Sequence, residues 1–230
     1  METERIIWQY MENEPRIQYI KMEENLGISG NSNRALQAAK GAYVALLDHD
    51  DVLTEDALYW VVDALQRERY DVVYSDEDRM AENGSHYLEP RFKPEFDIDL
   101  LRAYNYISHL FVARRELMLA DGGFHSQYDG AQGYDMILRC CEGNREICHI
   151  PRVLYHKRIH DGTSSEREAK HAQENLAGKE ALEAQCVAGT NCLARVMMTD
   201  QRSVYNGKNM ITPGNPLVSN DHNPGIRIVR

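Results

Sequence analysis

The feature that most constrains this chain is a short apolar run that stops abruptly on acids: Tyr43-Val44-Ala45-Leu46-Leu47, then Asp48-His49-Asp50-Asp51. Such a run, bounded by turn-like residues, reads as a strand buried on both faces. Strands of that kind belong to sheets covered by helices, and ligands gather where their carboxyl ends open into loops. Here that end carries three carboxylates, and no Lys or Arg lies between Gly41 and Gln66 to relieve them. Two like charges about 4 Å apart repel by roughly 4 kcal/mol at an effective dielectric near 20. Either the side chains splay into water as a solvated loop with helix-capping acids, or a cation bridges them. A hard divalent ion, Mn²⁺ or Mg²⁺, is the kind that carboxylate and phosphate oxygens select.

The remaining pattern alternates helices and strands. Ile6, Ile7 and Tyr10 share a helical face, which predicts a helix over 4–12. Residues 16–22 alternate as a strand, and residues 29–40 are helical up to Gly41. Thr54 is the expected N-cap of a helix reaching Glu68, with Leu58, Val61, Val62 and Leu65 inward. Val72-Val73-Tyr74 reads as a strand ending on Ser75-Asp76-Glu77-Asp78, and Asn83-Gly84 as a hairpin turn. Further helices are predicted over 97–103, 115–120 and 134–141, and strands over 109–113 and 150–155, with Gly122-Gly123 as a helix stop. Residues 165–187 are charged and Ala-rich, hence a surface helix; from about 188 the chain turns linker-like. Ile226-Arg227-Ile228-Val229 suits a short strand without an assigned place. The alternation indicates an α/β sheet, with Asp48 and Asp76 at strand ends.

Composition narrows the function. A formal charge of −10 argues against nucleic-acid binding. The five cysteines are odd in number and lack CxxC spacing, so neither a zinc knuckle nor a disulfide framework is implied. No run of about 18 apolar residues spans a membrane, and the start lacks the pattern of a secretory signal. A reducing cytosol is the simplest setting.

Several motifs recur in order. Asn25-Leu26-Gly27-Ile28-Ser29-Gly30-Asn31-Ser32-Asn33-Arg34, Ala39-Lys40-Gly41 and Leu46-Leu47-Asp48-His49-Asp50-Asp51 come first. Tyr74-Ser75-Asp76-Glu77-Asp78, Phe92-Lys93-Pro94, Gly122-Gly123-Phe124 and Leu154-Tyr155-His156-Lys157-Arg158 follow. Together, over about residues 4–185, they resemble the inverting family 2 glycosyltransferases of the GT-A fold, most closely bacterial O-antigen-type polysaccharide-assembling members that often carry two such domains. The resemblance implies an α/β fold with a mixed sheet and helices on both faces. It implies transfer of a sugar from a UDP- or dTDP-type donor to a saccharide acceptor, in the cytoplasm or at the inner face of the membrane. Asp48 would touch the ribose or the metal, and Asp50 would bind the metal. The ion, Mn²⁺ or Mg²⁺, would neutralise the diphosphate leaving group. Asn25, Gly27, Asn33 and Arg34 would approach the nucleotide, the start of their helix offering N–H groups. Arg34 reads equally as a surface ion-pair residue. Asp76 and Asp78 would position a sugar, or form a solvated turn. His156 and His160 lie where relatives bring a late His to the metal, though a lone His more often serves structure.

Three departures temper that reading. An inverting transferase needs a carboxylate to take the acceptor proton. In Ala131-Gln132-Gly133-Tyr134-Asp135 the expected position of that base is Gly133, which has no side chain to accept it. Asp135 lies two residues on along a helix, about 200° away, and suits a structural role. Second, the family's first strand-helix-strand unit is expected to be missing, which would leave the edge beside the Tyr43 strand unpaired and prone to self-association. Third, Pro216-Leu217-Val218-Ser219 resembles the entry to a tandem domain that does not continue as expected. The organisation expected is a partial transferase domain over 1–165, a helix over 166–187 and a tail over 188–230. Two other readings stay open. One is a haloacid-dehalogenase-type phosphohydrolase with Asp48 as nucleophile. The other is a non-catalytic remnant that binds nucleotide.

Overall fold

A computed structural model gives the fold and describes residues 2–120, 122–159, 176–184 and 226–229, the last as backbone. The helices are α1 (Glu2–Asn13), α2 (Gly27–Ala38), α3 (Ala57–Arg67), α4 (Ile98–Ala103), α5 (Arg115–Ala120), α6 (Gln132–Cys140) and α7 (176–184). The strands are β1 (Tyr43–Leu46), β2 (Val52–Leu53), β3 (Val72–Met80), β4 (Tyr87–Arg91), β5 (Phe111–Arg114), β6 (Ile147–Arg158) and β7 (Ile226–Val229). They form one mixed sheet in the order β2-β6-β3-β5-β1-β7, with β4 hairpinned on β3. β3–β6 and β1–β7 are parallel pairs; β1–β5, β3–β5 and β2–β6 are antiparallel.

The period of two along each strand divides the core between the two faces. Val44, Val72, Tyr74, Phe111 and Ala113 pack on one side against Leu36 of α2, Leu101 of α4, Met118 of α5, Met136 and Ile137 of α6, and Leu182 of α7. Tyr43, Ala45, Val73, Leu110 and Val112 pack on the other against Ala57, Val61 and Leu65 of α3. Helices on both faces of a mixed sheet are what the resemblance implies, and the alternation of inward residues along each strand is the reason.

Several local expectations need correction. Residues 16–22 form no strand; they run back along α1, where Tyr19 meets Trp8 edge-on and Lys21 pairs with Glu4 at 2.9 Å. The helix after Thr54 begins at Ala57, whose N–H donates to the Thr54 carbonyl at 3.1 Å. β3 continues through the acids, so Asp76 and Asp78 lie inside a strand rather than at its end, because β6 pairs with it over its whole length. α7 is not merely a surface helix, since Ala177, Ala181 and Leu182 are buried. The rest of the predicted 165–187 helix, and His160, lie outside the described residues. The edge of β1 is not open: β7 lies along it in parallel, Tyr43 opposite Ile226 and Leu46 opposite Val229. The Ile226–Val229 stretch, which suits a short strand without an assigned place, takes that position.

Candidate functional site

The acidic loop leaves β1 and is pinned over the end of β6. β2 fixes the register, with Val52 opposite His156 and Leu53 opposite Tyr155. The Asp48 N–H donates to the Tyr155 hydroxyl at 3.2 Å, and that hydroxyl donates to Asp51 Oδ2 at 2.6 Å. Asp51 Oδ1 accepts the Arg158 N–H at 2.8 Å, and the Arg158 guanidinium donates to the Asp50 carbonyl at 2.7 Å. Burial, followed by the Asp51 carboxylate beside it, pushes the Tyr155 hydroxyl far above its ordinary range, so it stays a donor.

This clamp turns Asp48 and Asp51 toward a third residue that no sequence motif marks, His109. Single ligand atoms of Asp48, Asp51 and His109 all lie within 4.8 Å of one another. Carboxylate oxygens plus an imidazole nitrogen are a donor set that a divalent cation such as Mn²⁺ accepts, so the residues present fit the implied metal. Hydrogen bonding to His109 holds the Asp48 carboxyl below the usual carboxylate range. His109 stacks on the Tyr155 ring with centroids 4.7 Å apart, and its Nε2 lies 3.4 Å from Asp48 Oδ2.

Behind His109 sits a buried charge cluster. Glu77 Oε2 accepts the His109 backbone N–H at 3.2 Å and lies 3.3 Å from Lys93 Nζ, and Glu77 Oε1 lies 3.3 Å from Arg91. Burial would raise the Glu77 carboxyl, but His109, Lys93 and Arg91 together bring it down to about 2. Lys93 also donates to the carbonyls of Ile107, at 2.6 Å, and His109. Burial outweighs the pull of Glu77 and Asp76 and pushes the Lys93 ammonium down to about 8.

The other expected site residues fall elsewhere. The Asp50 side chain lies 3.7 Å from His49 and outside the three-residue group. His156 Nδ1 is 2.6 Å from Asp78 Oδ1, under the ring of Tyr87 at 4.0 Å. Asp76 Oδ1 accepts the Lys93 N–H and faces His149 Nε2, both at 2.8 Å. The start of α2 is already served by protein: Asp129 Oδ1 accepts from Ser29 N–H and hydroxyl at 3.3 and 2.5 Å, and Asn25 accepts the Gly27 N–H at 3.1 Å. A carboxylate thus takes the place the sequence reading offered to phosphate. Both ends of the Asn33 amide clamp the Phe124 backbone, at 2.8 and 2.7 Å. Arg34 is exposed. Asp135 is buried against Arg139 at 2.7 Å and His125 at 3.3 Å, and Arg139 donates to the Gly123 carbonyl at 2.6 Å. A Cβ built on Gly133 meets nothing within 4 Å.

The sequence profile of Glycosyl transferase family 2 matches residues 1–119, just over half of the 230. The chain belongs to that family. It is 40% identical over 185 residues to the uncharacterized protein y4gI of Sinorhizobium fredii, covering 79% of this chain and 20% of that protein. It is 35% identical over 179 residues to the O-antigen biosynthesis protein RfbC of Myxococcus xanthus, covering 77% and 14% respectively. The chain therefore spans a fifth or less of these relatives' length. Among solved structures, S. aureus TarS 1-349 in complex with UDP-GlcNAc superposes with a TM-score of 0.55 at 20% identity, over 78% of this chain and 54% of that one. That likeness establishes the GT-A type of fold. With the family match, it leaves the phosphohydrolase reading without support. No helix among the described residues is long and apolar enough to cross a membrane.

Proposed function

We propose that this chain carries the donor half of a metal-assisted, inverting sugar transfer from a nucleoside-diphosphate sugar to a saccharide acceptor, in the assembly of a cell-surface polysaccharide. The observation that carries the reading is the convergence of Asp48 and Asp51 at the carboxyl end of β1, clamped by Tyr155 and Arg158, in a family 2 chain. A bound divalent cation would neutralise charge gathering on the diphosphate leaving group. The chain's own part is to hold the carboxylates in register, through the Tyr155 relay and the β2–β6 pairing, so that no reorganisation is needed when charge develops. The donor named with TarS is UDP-GlcNAc, and a uridine nucleotide is the first ligand to try.

Calorimetry of UDP with and without Mn²⁺ tests this. Binding that requires Mn²⁺ and is lost in Asp48→Asn with Asp51→Asn is expected. Metal-independent binding indifferent to both substitutions would overturn the reading.

A second reading, donor binding without transfer, has its own observation: the position expected for the base is Gly133, while Asp135 is locked to Arg139. The open space around Gly133 admits a carboxylate. Under this reading, Gly133→Asp gains transfer to a saccharide that the unaltered chain lacks. Robust turnover by the unaltered chain would sink it.

A further inference from the structure

β3 and β6 run on together past the end of β1, and the two faces of that extension differ. Glu77 stands opposite Tyr155 and Arg79 opposite Lys157, so the period of two puts these four residues on one face. That face looks toward the acidic loop, because the Tyr155 hydroxyl donates to Asp51 Oδ2 and its ring stacks on His109. Glu77 and Arg79 are each matched in charge. Glu77 lies 3.3 Å from both Lys93 Nζ and Arg91 Nη1, and Arg79 Nη1 lies 2.9 Å from Glu89 Oε2. Lys157 is exposed, and among the described residues no carboxylate stands within ion-pair distance of its ammonium.

An unmatched cation is costly in this place. Neighbouring strands lie about 4.8 Å apart, and like charges directly opposite on one face repel. The residue opposite Lys157 is Arg79. The simplest role for Lys157 is counter-charge to the acidic loop. Its field does reach there: after the hydrogen bond to His109, Lys157 is among the charges that hold the Asp48 carboxyl below the usual carboxylate range. Under the metal-assisted reading, however, Asp48 and Asp51 are already matched by an ion. Lys157 then stands between that ion and a guanidinium, and an anion brought by a ligand is what satisfies it. At a rise of about 3.3 Å per residue, Lys157 lies about 7 Å further along β6 than Tyr155. That offset separates it from the ion and the diphosphate and suits a group on a sugar ring instead.

We propose that Lys157, flanked by Arg79, is a subsite for an anionic group on a sugar, a ring carboxylate or a phosphate substituent, and so selects charged saccharides. The inference rests on the nucleotide-sugar reading above and deepens it by naming the substrate class. The anion belongs either to the donor sugar or to the acceptor. The chemistry that recognises it is the same in both, a charge-assisted hydrogen bond from the ammonium with a second cation beside it.

Calorimetry on the full chain with Mn²⁺ separates the two sources. One arm compares UDP, UDP-glucose and UDP-glucuronate. The other, run without nucleotide, compares oligogalacturonate with its methyl ester. Binding of the charged member at least about fivefold tighter is expected in one arm, and that arm names the carrier of the anion. Lys157→Met should abolish the preference, Lys157→Arg should retain it, and high salt should shrink it. Lys157 is exposed, so neither variant threatens the fold. No charge preference in either arm, or a preference that survives Lys157→Met, would overturn the subsite. So would a loss of UDP affinity in Lys157→Met as large as the loss for UDP-glucuronate, since Lys157 would then serve the diphosphate. If the unaltered chain binds no UDP, the donor reading above falls, and the saccharide arm alone decides the subsite.

Discussion

Gly123 and Gly133 are two glycines with opposite reasons for being there. Gly123 has φ +79°, and a Cβ on it would stand 2.2 Å from Asn33 Oδ1, the atom that accepts the Phe124 N–H. Gly123→Ala combines the left-handed penalty with loss of the Asn33 clamp, so a destabilisation of about 2–3 kcal/mol by urea denaturation is expected. Gly133 stands in the first turn of α6 with open space around it, so Gly133→Ala should raise stability by about 0.5–1 kcal/mol. A Gly133→Ala variant less stable than the parent would show that the position is packed after all. Asn33 illustrates how far residue-level reading goes. Its membership of a family motif was legible, and so was the glycine turn. That the two bind each other across 91 residues was not, because nothing in either segment encodes the partner. His109 was hidden for the same reason. A lone histidine without ligand spacing becomes a site residue only when two strands bring it to Glu77 and a loop brings Asp48 to it.

At the scale of elements, apolar runs are legible in the sequence and their polar extensions are not. β1, α5 and the hairpin at Gly84 fall where pattern and turn chemistry put them. β3 and β6 run longer than their apolar stretches because each pairs with the other through Asp76, Glu77 and Asp78. Hydrogen bonding with a neighbouring strand, invisible in a single segment, extends both. Residues 16–22 failed the opposite way: they alternate, but have no strand to pair with and pack on α1 instead. The most informative junction is where β6 meets the acidic loop. Tyr155→Phe keeps the ring on His109 and deletes only the hydroxyl that joins the Asp48 N–H to Asp51 Oδ2. It should cost about 1–3 kcal/mol. It should also speed amide hydrogen exchange at residues 48–51 while exchange in α6 stays slow. Unchanged exchange in that loop would mean that Arg158 alone holds it.

For the molecule as a whole, the sheet edge decides the state of association. Val44 and Ala45 are fully buried, so β1 is an interior strand whose backbone groups need partners on both sides. β5 supplies one side and β7 the other. The expectation of an open edge assumed that only a strand preceding β1 could fill it. A parallel neighbour can equally arrive from far along the chain, since parallel strands are joined by long crossovers rather than tight turns. With β7 in place, the physical cause given for self-association is removed, and the full chain should be monomeric by light scattering. Deleting residues 221–230 should restore that cause. The row of N–H and C=O groups on β1 would then be left unsatisfied in apolar surroundings and open to pairing with a second copy. The deleted chain should form concentration-dependent oligomers and unfold over a broader range. A separate peptide spanning residues 221–230, added in excess, should reverse both effects. A deleted chain that stays monomeric with an equally sharp transition would show that β1 does not depend on β7, and that its outer edge is satisfied some other way.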